Sequence, residues 1–230
     1  MKNLQSSDPT YRKTSLTAGL LYLLTFVSIP TLSLYSAAKG ANYITSTGSD
    51  TAALTGALLE IVVALACIAT AVVLYPILKK QSETLALGLL AVRVLEASAI
   101  FVGVACMLTI VGLHKEAVGP AGLITSQTLA MLYDKIFLVS QSFLPAVNDL
   151  LLGFLLYKSG LVPKALAMLG MVGALPLAIG FVAVLFGATE QGGSTAGLAA
   201  ILVALFEFSL GLWLVVKGFN RDAVAKLSQS

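Results

Sequence analysis

The stretch LALGLLAVRVLEASAIFVGVACMLTIVGL, Leu85–Leu113, decides the fold, because it is apolar except for Ser98, Thr109 and the charged pair Arg93 and Glu96. A helix needs about 20 mostly apolar residues to cross a bilayer, and this run exceeds that without a proline or a polar break. It reads as a membrane span, and its two charged residues stand in the wrong solvent. The segments on either side follow the same pattern. Working outward gives five more apolar runs, near Ser15–Ala37, Ala52–Leu78, Met131–Tyr157, Pro163–Gly187 and Ala196–Lys217, each closed by polar or Gly/Pro-containing breaks.

The composition agrees with this reading. Of 230 residues, 58% are hydrophobic and 11% charged, with a mean hydropathy of +0.94, whereas soluble domains carry about 25% charge. A soluble enzyme is therefore excluded, and the fold class is all-α, a polytopic bundle of six transmembrane helices. Residues 1–14 read as a short cytoplasmic segment, 15–217 as one transmembrane domain and 218–230 as a cytoplasmic tail. The first run resembles a signal peptide, with Lys2, Arg12 and Lys13 before it. Its apolar length exceeds the ~7–15 residues of a signal core, so an uncleaved helix is expected. The fourth pattern starts early, at Leu123. Its first part, to Leu132, is expected as a helix or loop at the outer surface after the Gly119-Pro120 break.

Alternating the loops between the two sides places Lys2, Arg12, Lys13, Lys79, Lys80, Lys158, Lys164, Lys217, Arg221 and Lys226 together, against Lys39 and Lys115 opposite. The positive-inside rule then puts both termini in the cytoplasm of an inner-membrane protein. The net charge of +3 belongs to lipid-adjacent loops, so nucleic acid is not an expected partner and the bilayer is. Cys67 and Cys106 lie in apolar runs without ligands at metal spacing, which implies neither metal nor cofactor. His114 sits in the polar patch His114-Lys115-Glu116 and reads as a solvated loop residue.

Once the loop charges are set aside, Glu60, Arg93, Glu96, Asp149 and Glu207 remain inside spans, with Asn148 beside them and Asp134-Lys135 near an outer end. Ionisable groups at such depths are rare and mark function by default. Helix rise puts Arg93 and Asp149 level, about 12 Å in from the cytoplasmic ends, so an Arg93–Asp149 ion pair is expected. Glu96 lies one turn above Arg93 on the same face, Glu207 lies near the midplane, and Glu60 marks the upper end of the same path.

Small residues share these faces: Gly56, Ala64 and Cys67 with Glu60, Ala99 and Gly103 with Glu96, and Ala200, Ala204 and Gly211 with Glu207. Pro145 cannot donate to the carbonyl of Gln141 and predicts a kinked, partly hydrated pocket. Four carboxylates against one arginine cannot all be charged at low dielectric. Glu207 or Glu60 is expected to hold a proton while Asp149 and Glu96 share Arg93.

Three functions fit these residues. The first is a small-solute or proton-linked carrier that binds a polar or cationic group, a role that six helices without a convincing repeat would fill as a homo-oligomer. The second is an accessory or structural subunit whose buried charges fix helix packing. The third, an intramembrane lipid- or peptide-modifying enzyme, lacks an intramembrane histidine and a second aspartate motif beside Tyr133-Asp134.

Leu74-Tyr75-Pro76, Arg93-Val94-Leu95-Glu96, Leu156-Tyr157 through Leu161-Val162-Pro163, and Phe206-Glu207 through Trp213-Leu214-Val215-Val216-Lys217-Gly218-Phe219 resemble the bacterial membrane family catalogued as domain of unknown function 4386. The resemblance runs over almost the whole chain and implies a polytopic bacterial membrane protein. That family has no established activity, so the resemblance assigns no catalytic or binding role to any residue.

Overall fold

The computed structural model describes residues 9–229, so Lys2 and the first part of the N-terminal segment lie outside the described residues. Six of its helical segments are long and apolar enough to cross a membrane. Helix α1, Pro9–Thr25, is followed by a 3-10 turn, Phe26–Ser28, and by the one-turn α2, Thr31–Leu34, with Pro30 at the break. The later spans are α3, Thr51–Leu78; α4, Glu83–Lys115; α7, Lys164–Leu185; and α8, Ser194–Val216. A short amphipathic α9, Arg221–Leu227, closes the described chain.

The fourth apolar pattern is helical from its start. Leu123–Leu138 is a single helix, α5, packed against α4, so the first part expected as a helix or loop is a helix. It continues through a π-helical turn, Val139–Phe143, into α6, Leu144–Ser159, which places Pro145 at the start of α6. The π turn is how the helix absorbs a residue that offers no N–H to the carbonyl four positions earlier. Gly160 ends α6 at φ +68°, a left-handed conformation that glycine adopts without a Cβ penalty.

Burial explains why these helices cohere in lipid. The large apolar side chains, Leu58, Leu65, Val72, Leu95, Val102 and Leu198 among them, point outward, while the seams between helices hold small residues. Gly56, Ala64 and Cys67 are buried beside Glu60, as expected; on α8, Gly211 is buried but Ala204 is exposed. Without a hydrophobic force between helices in lipid, such close approach supplies the packing.

The two chain ends meet at one end of the bundle, here the terminal end. There Arg12 donates to the carbonyls of Leu214 (3.1 Å) and Val215 (2.6 Å), satisfying acceptors that the last turn of α8 leaves open. Phe219 and Ala223 dock α9 on a dense leucine core that includes Leu74, Leu78, Leu89, Leu152 and Leu156. The tail is therefore structured and tied to the bundle.

At the opposite, loop end, His114 is not solvated. Its Nδ1 meets Asp50 Oδ1 at 2.7 Å, its Nε2 meets the Ser46 carbonyl at 2.9 Å, and its ring lies 4.5 Å from that of Tyr43. Tyr43 donates to the same Asp50 oxygen, so one carboxylate clasps the 40–50 loop to the end of α4. The Tyr43 hydrogen bond holds the Asp50 carboxyl below its usual range, with the bond to His114 acting the same way. A depressed carboxyl stabilises the fold above its unfolded pKa, and that stabilisation is lost as the pH falls through the lower folded value. The clasp is thus expected to loosen as the pH falls through the carboxylate range and, because the bonds to the Ser46 carbonyl and Asp50 raise the His114 pKa, to lose the imidazole's contribution as the pH rises through that raised value. Amide hydrogen exchange over residues 40–50 reads this directly, and Asp50→Asn should remove the acid transition.

Candidate functional site

Arg93 lies at the centre of the bundle, 2% exposed, and Glu96 is buried beside it. The i, i+3 spacing on α4 brings the two together: Arg93 Nη1 donates to Glu96 Oε2 at 3.1 Å. The other guanidinium nitrogen, Nη2, donates to Glu207 Oε1 on α8 at 2.9 Å. From α6, Asn148 Nδ2 donates to Glu96 Oε2 at 2.5 Å. Cys67 of α3 sits between the charges, its Sγ 3.6 Å from Arg93 Nη1 and 3.9 Å from Glu96 Oε1. The Tyr22 ring of α1 lies 5.6 Å from the guanidinium carbon, within cation–π range.

The expected Arg93–Asp149 pair does not form. Asp149 is completely buried, and it lies within electrostatic reach of Arg93, Glu96 and Glu207. Neither of its oxygens has a hydrogen-bond partner, and Asn148 Oδ1 and Arg93 Nε are equally unpaired. Axial depth placed Arg93 and Asp149 level, but rotation about the helix axes gives the arginine to Glu207. The result is three carboxyls around one guanidinium, one of them with no hydrogen bond to its oxygens. Burying an unpaired charge is costly enough that such a group goes neutral or recruits a cation.

A cavity of about 180 Å³ opens beside this cluster. Arg93, Glu96 and Glu207 form its polar wall, Gln141 and Pro145 one side, and Phe26, Ile29, Ala200 and Ala204 the seam between the first and last spans. At that seam Glu207 keeps 15% of its side-chain surface exposed, against 3–4% for Arg93 and Glu96. Glu207 is the most accessible of these three charged residues.

Glu60 belongs to a second centre toward the loop end. Tyr133 donates to its Oε1 at 2.6 Å and Tyr35 to its Oε2 at 3.2 Å, with the two rings edge to face at 5.2 Å. Gly56 and Gly103 make room: a Cβ on Gly56 would lie 2.8 Å from the Tyr35 ring, and one on Gly103 would lie 3.3 Å from that of Tyr133. Above this pair, Lys39 is bonded to Asp134 and its ammonium lies 5.4 Å from the Tyr133 ring centre. Sequence reasoning singled out Glu60 and missed both tyrosines; a tyrosine inside a span, whose hydroxyl requires a partner, was the available signal. Asp134, set apart as a near-interface residue, has Lys39 for its partner rather than the adjacent Lys135.

Among the described residues no group of histidine, cysteine, aspartate and glutamate has the geometry to hold a metal ion. Neither curated proteins nor solved structures contain a match to the chain. A family match does exist, and its span takes in every residue of both buried centres, from Tyr22 to Glu207. The chain belongs to the family described as domain of unknown function (DUF4386), which matches residues 17–218.

Proposed function

We propose that the protein is a multi-pass carrier of the cytoplasmic membrane, with both termini in the cytoplasm, which binds a small organic cation at Glu207 and Glu96 in exchange for a proton. The observation that carries this reading is the excess of acid over base: Glu96 and Glu207 at the cavity wall, with the buried, unpartnered Asp149 in the same cluster, against Arg93 alone. A site of that balance takes up a proton when empty and gives it up when a cation arrives. Apolar walls at Phe26, Ile29 and Leu177 favour a ligand with a short alkyl part, such as a primary amine. The basic loops at the terminal end support the orientation.

The test is thermal unfolding of the purified full chain with methyl- to butylammonium, in weak buffer so that released protons register. A ligand at 100 times its Kd stabilises the fold by about 2.7 kcal/mol. Glu207→Gln is expected to abolish both the shift and the proton release. Equal shifts in wild type and Glu207→Gln would remove the site from the reading.

A structural role is the second reading, and one observation favours it. The Arg93–Glu207 bond joins α4 to α8, which share little direct backbone contact across the bundle. An ion pair spanning that gap fixes helix positions whether or not anything binds.

A further inference from the structure

We propose that Glu60, Ser140 and Gln141 form a proton relay from the loop end of the bundle to the Arg93 cluster. This deepens the carrier reading and rests on it for the use made of the proton. Glu60 and Cys67 are seven residues apart on α3, about 10 Å along the axis, and Cys67 touches Glu96. The two buried acids therefore lie two helical turns apart in depth, and the space between them is lined by polar as well as apolar side chains, Ile100, Ile136 and Phe137 among the latter. A small void of about 10 Å³ is bounded by Glu60, Tyr133, Ser140 and Gln141, close to the volume that one water requires. Gln141 also lines the larger cavity, together with Arg93, Glu96 and Glu207. It is the residue common to both.

The π turn puts it there. Each α-helical residue advances about 100°, so the extra residue of Val139–Phe143 changes the phase of α5 relative to α6 and turns Ser140 and Gln141 toward the bundle axis. Ser140 is 2% exposed, and among the described residues neither its hydroxyl nor the Gln141 amide has a protein hydrogen-bond partner. Both residues line the small void, and Gln141 the larger cavity as well, where their polar groups can hydrogen-bond water. The groups facing Glu60 are the Tyr35 and Tyr133 hydroxyls, with the Lys39–Asp134 pair beyond them toward the loops.

In the relay, a proton passes from the Glu60 carboxyl to a water in the small void and then, by successive transfers between waters past Gln141 and in the larger cavity, a proton reaches an inner carboxylate. The Ser140 hydroxyl and the Gln141 amide orient the water, and the amide keeps its protons. One O–H bond breaks at Glu60 and one forms at an inner carboxylate, with no electron transferred. Ser140 and Gln141 are positioning residues.

The experiment follows hydrogen–deuterium exchange of the buried carboxylic acid by infrared spectroscopy, on the full chain in lipid vesicles. The inner band is assigned by its loss in Glu96→Gln or Glu207→Gln, the acids that line the larger cavity. Exchange at that band should slow at least about ten-fold in Glu60→Gln and in Gln141→Met, a barrier increase of about 1.4 kcal/mol, while Gln141→Asn stays near wild type. Melting temperature and amine binding should hold in Glu60→Gln, whose side chain lies outside the wall of the larger cavity. Unchanged exchange in both Glu60→Gln and Gln141→Met overturns the relay, as does a wild-type spectrum with no such band. If Gln141→Met does not fold, Ser140→Ala replaces it with the same slowing expected. Slowed exchange without amine binding in the wild type keeps the relay and overturns the carrier.

Discussion

Arg93→Gln should lower stability at neutral pH by about 3–5 kcal/mol, the cost of leaving buried charges without their partner. The guanidinium makes direct hydrogen bonds to Glu96 and Glu207 at once, so its removal strands two carboxylates beside the already unpartnered Asp149. The loss should shrink as the pH is lowered, because protonation removes the stranded charges. The double variant Arg93→Gln/Glu207→Gln should recover a large part of it, since the two residues share one interaction. Thermal or denaturant unfolding of the purified variants in detergent, at neutral and mildly acid pH, reads all three statements. A neutral or stabilising Arg93→Gln would mean that desolvation cancels the pairing. The site would then hold its charges against the interest of the fold, as a site kept for use does.

Gly19→Leu should be as damaging for a different reason. A Cβ at Gly19 would lie 2.7 Å from the Gly211 carbonyl oxygen and 2.9 Å from both the Val215 nitrogen and its Cγ2. Two of those three atoms are backbone and cannot rotate away, so α1 has to leave α8. Overpacking commonly costs about 1–3 kcal/mol, and this position belongs at the upper end, about 3 kcal/mol. The seam between α1 and α8 continues into the cavity wall at Phe26, Ile29, Ala200 and Ala204, so widening it should also weaken amine binding. The reciprocal change Gly211→Ala should cost less, because its nearest obstacles are the Leu23 side chain at 3.0 and 3.1 Å, and side chains yield. Parallel melts of Gly19→Leu and Gly211→Ala check the order.

Legibility followed the physics of one helix at a time. The six apolar spans were readable because bilayer thickness sets a length. The Arg93–Glu96 contact was readable because residues three apart share a face, and the inward turn of Glu60 because Gly56, Ala64 and Cys67 share its face. Everything that depends on how two helices are rotated toward each other was not. Axial depth gave Asp149 to Arg93, whereas the packing gave it Glu207. The π turn was equally hidden: Pro145 announced a missing donor, but a kink and an extra residue are both ways to absorb it, and only the second moves Gln141 toward the axis. The His114–Asp50 clasp joins residues 64 apart in sequence and required the closed bundle to bring them together.

The leucine core at the terminal end has an electrical meaning. From Lys39–Asp134 through Glu60 to the Arg93 cluster the interior carries polar groups, whereas from there to the terminal end it is built largely of Leu74, Leu78, Leu89, Leu152 and Leu156. A membrane voltage falls most steeply across the least polarisable layer, so most of the drop lies over that core. Moving one charge through the whole field is worth about 2.3 kcal/mol per 100 mV. In the proposed carrier, a cation or proton reaching Glu207 or Glu96 from the loop side would cross only a small part of that field, and passage beyond the leucines would cross the rest.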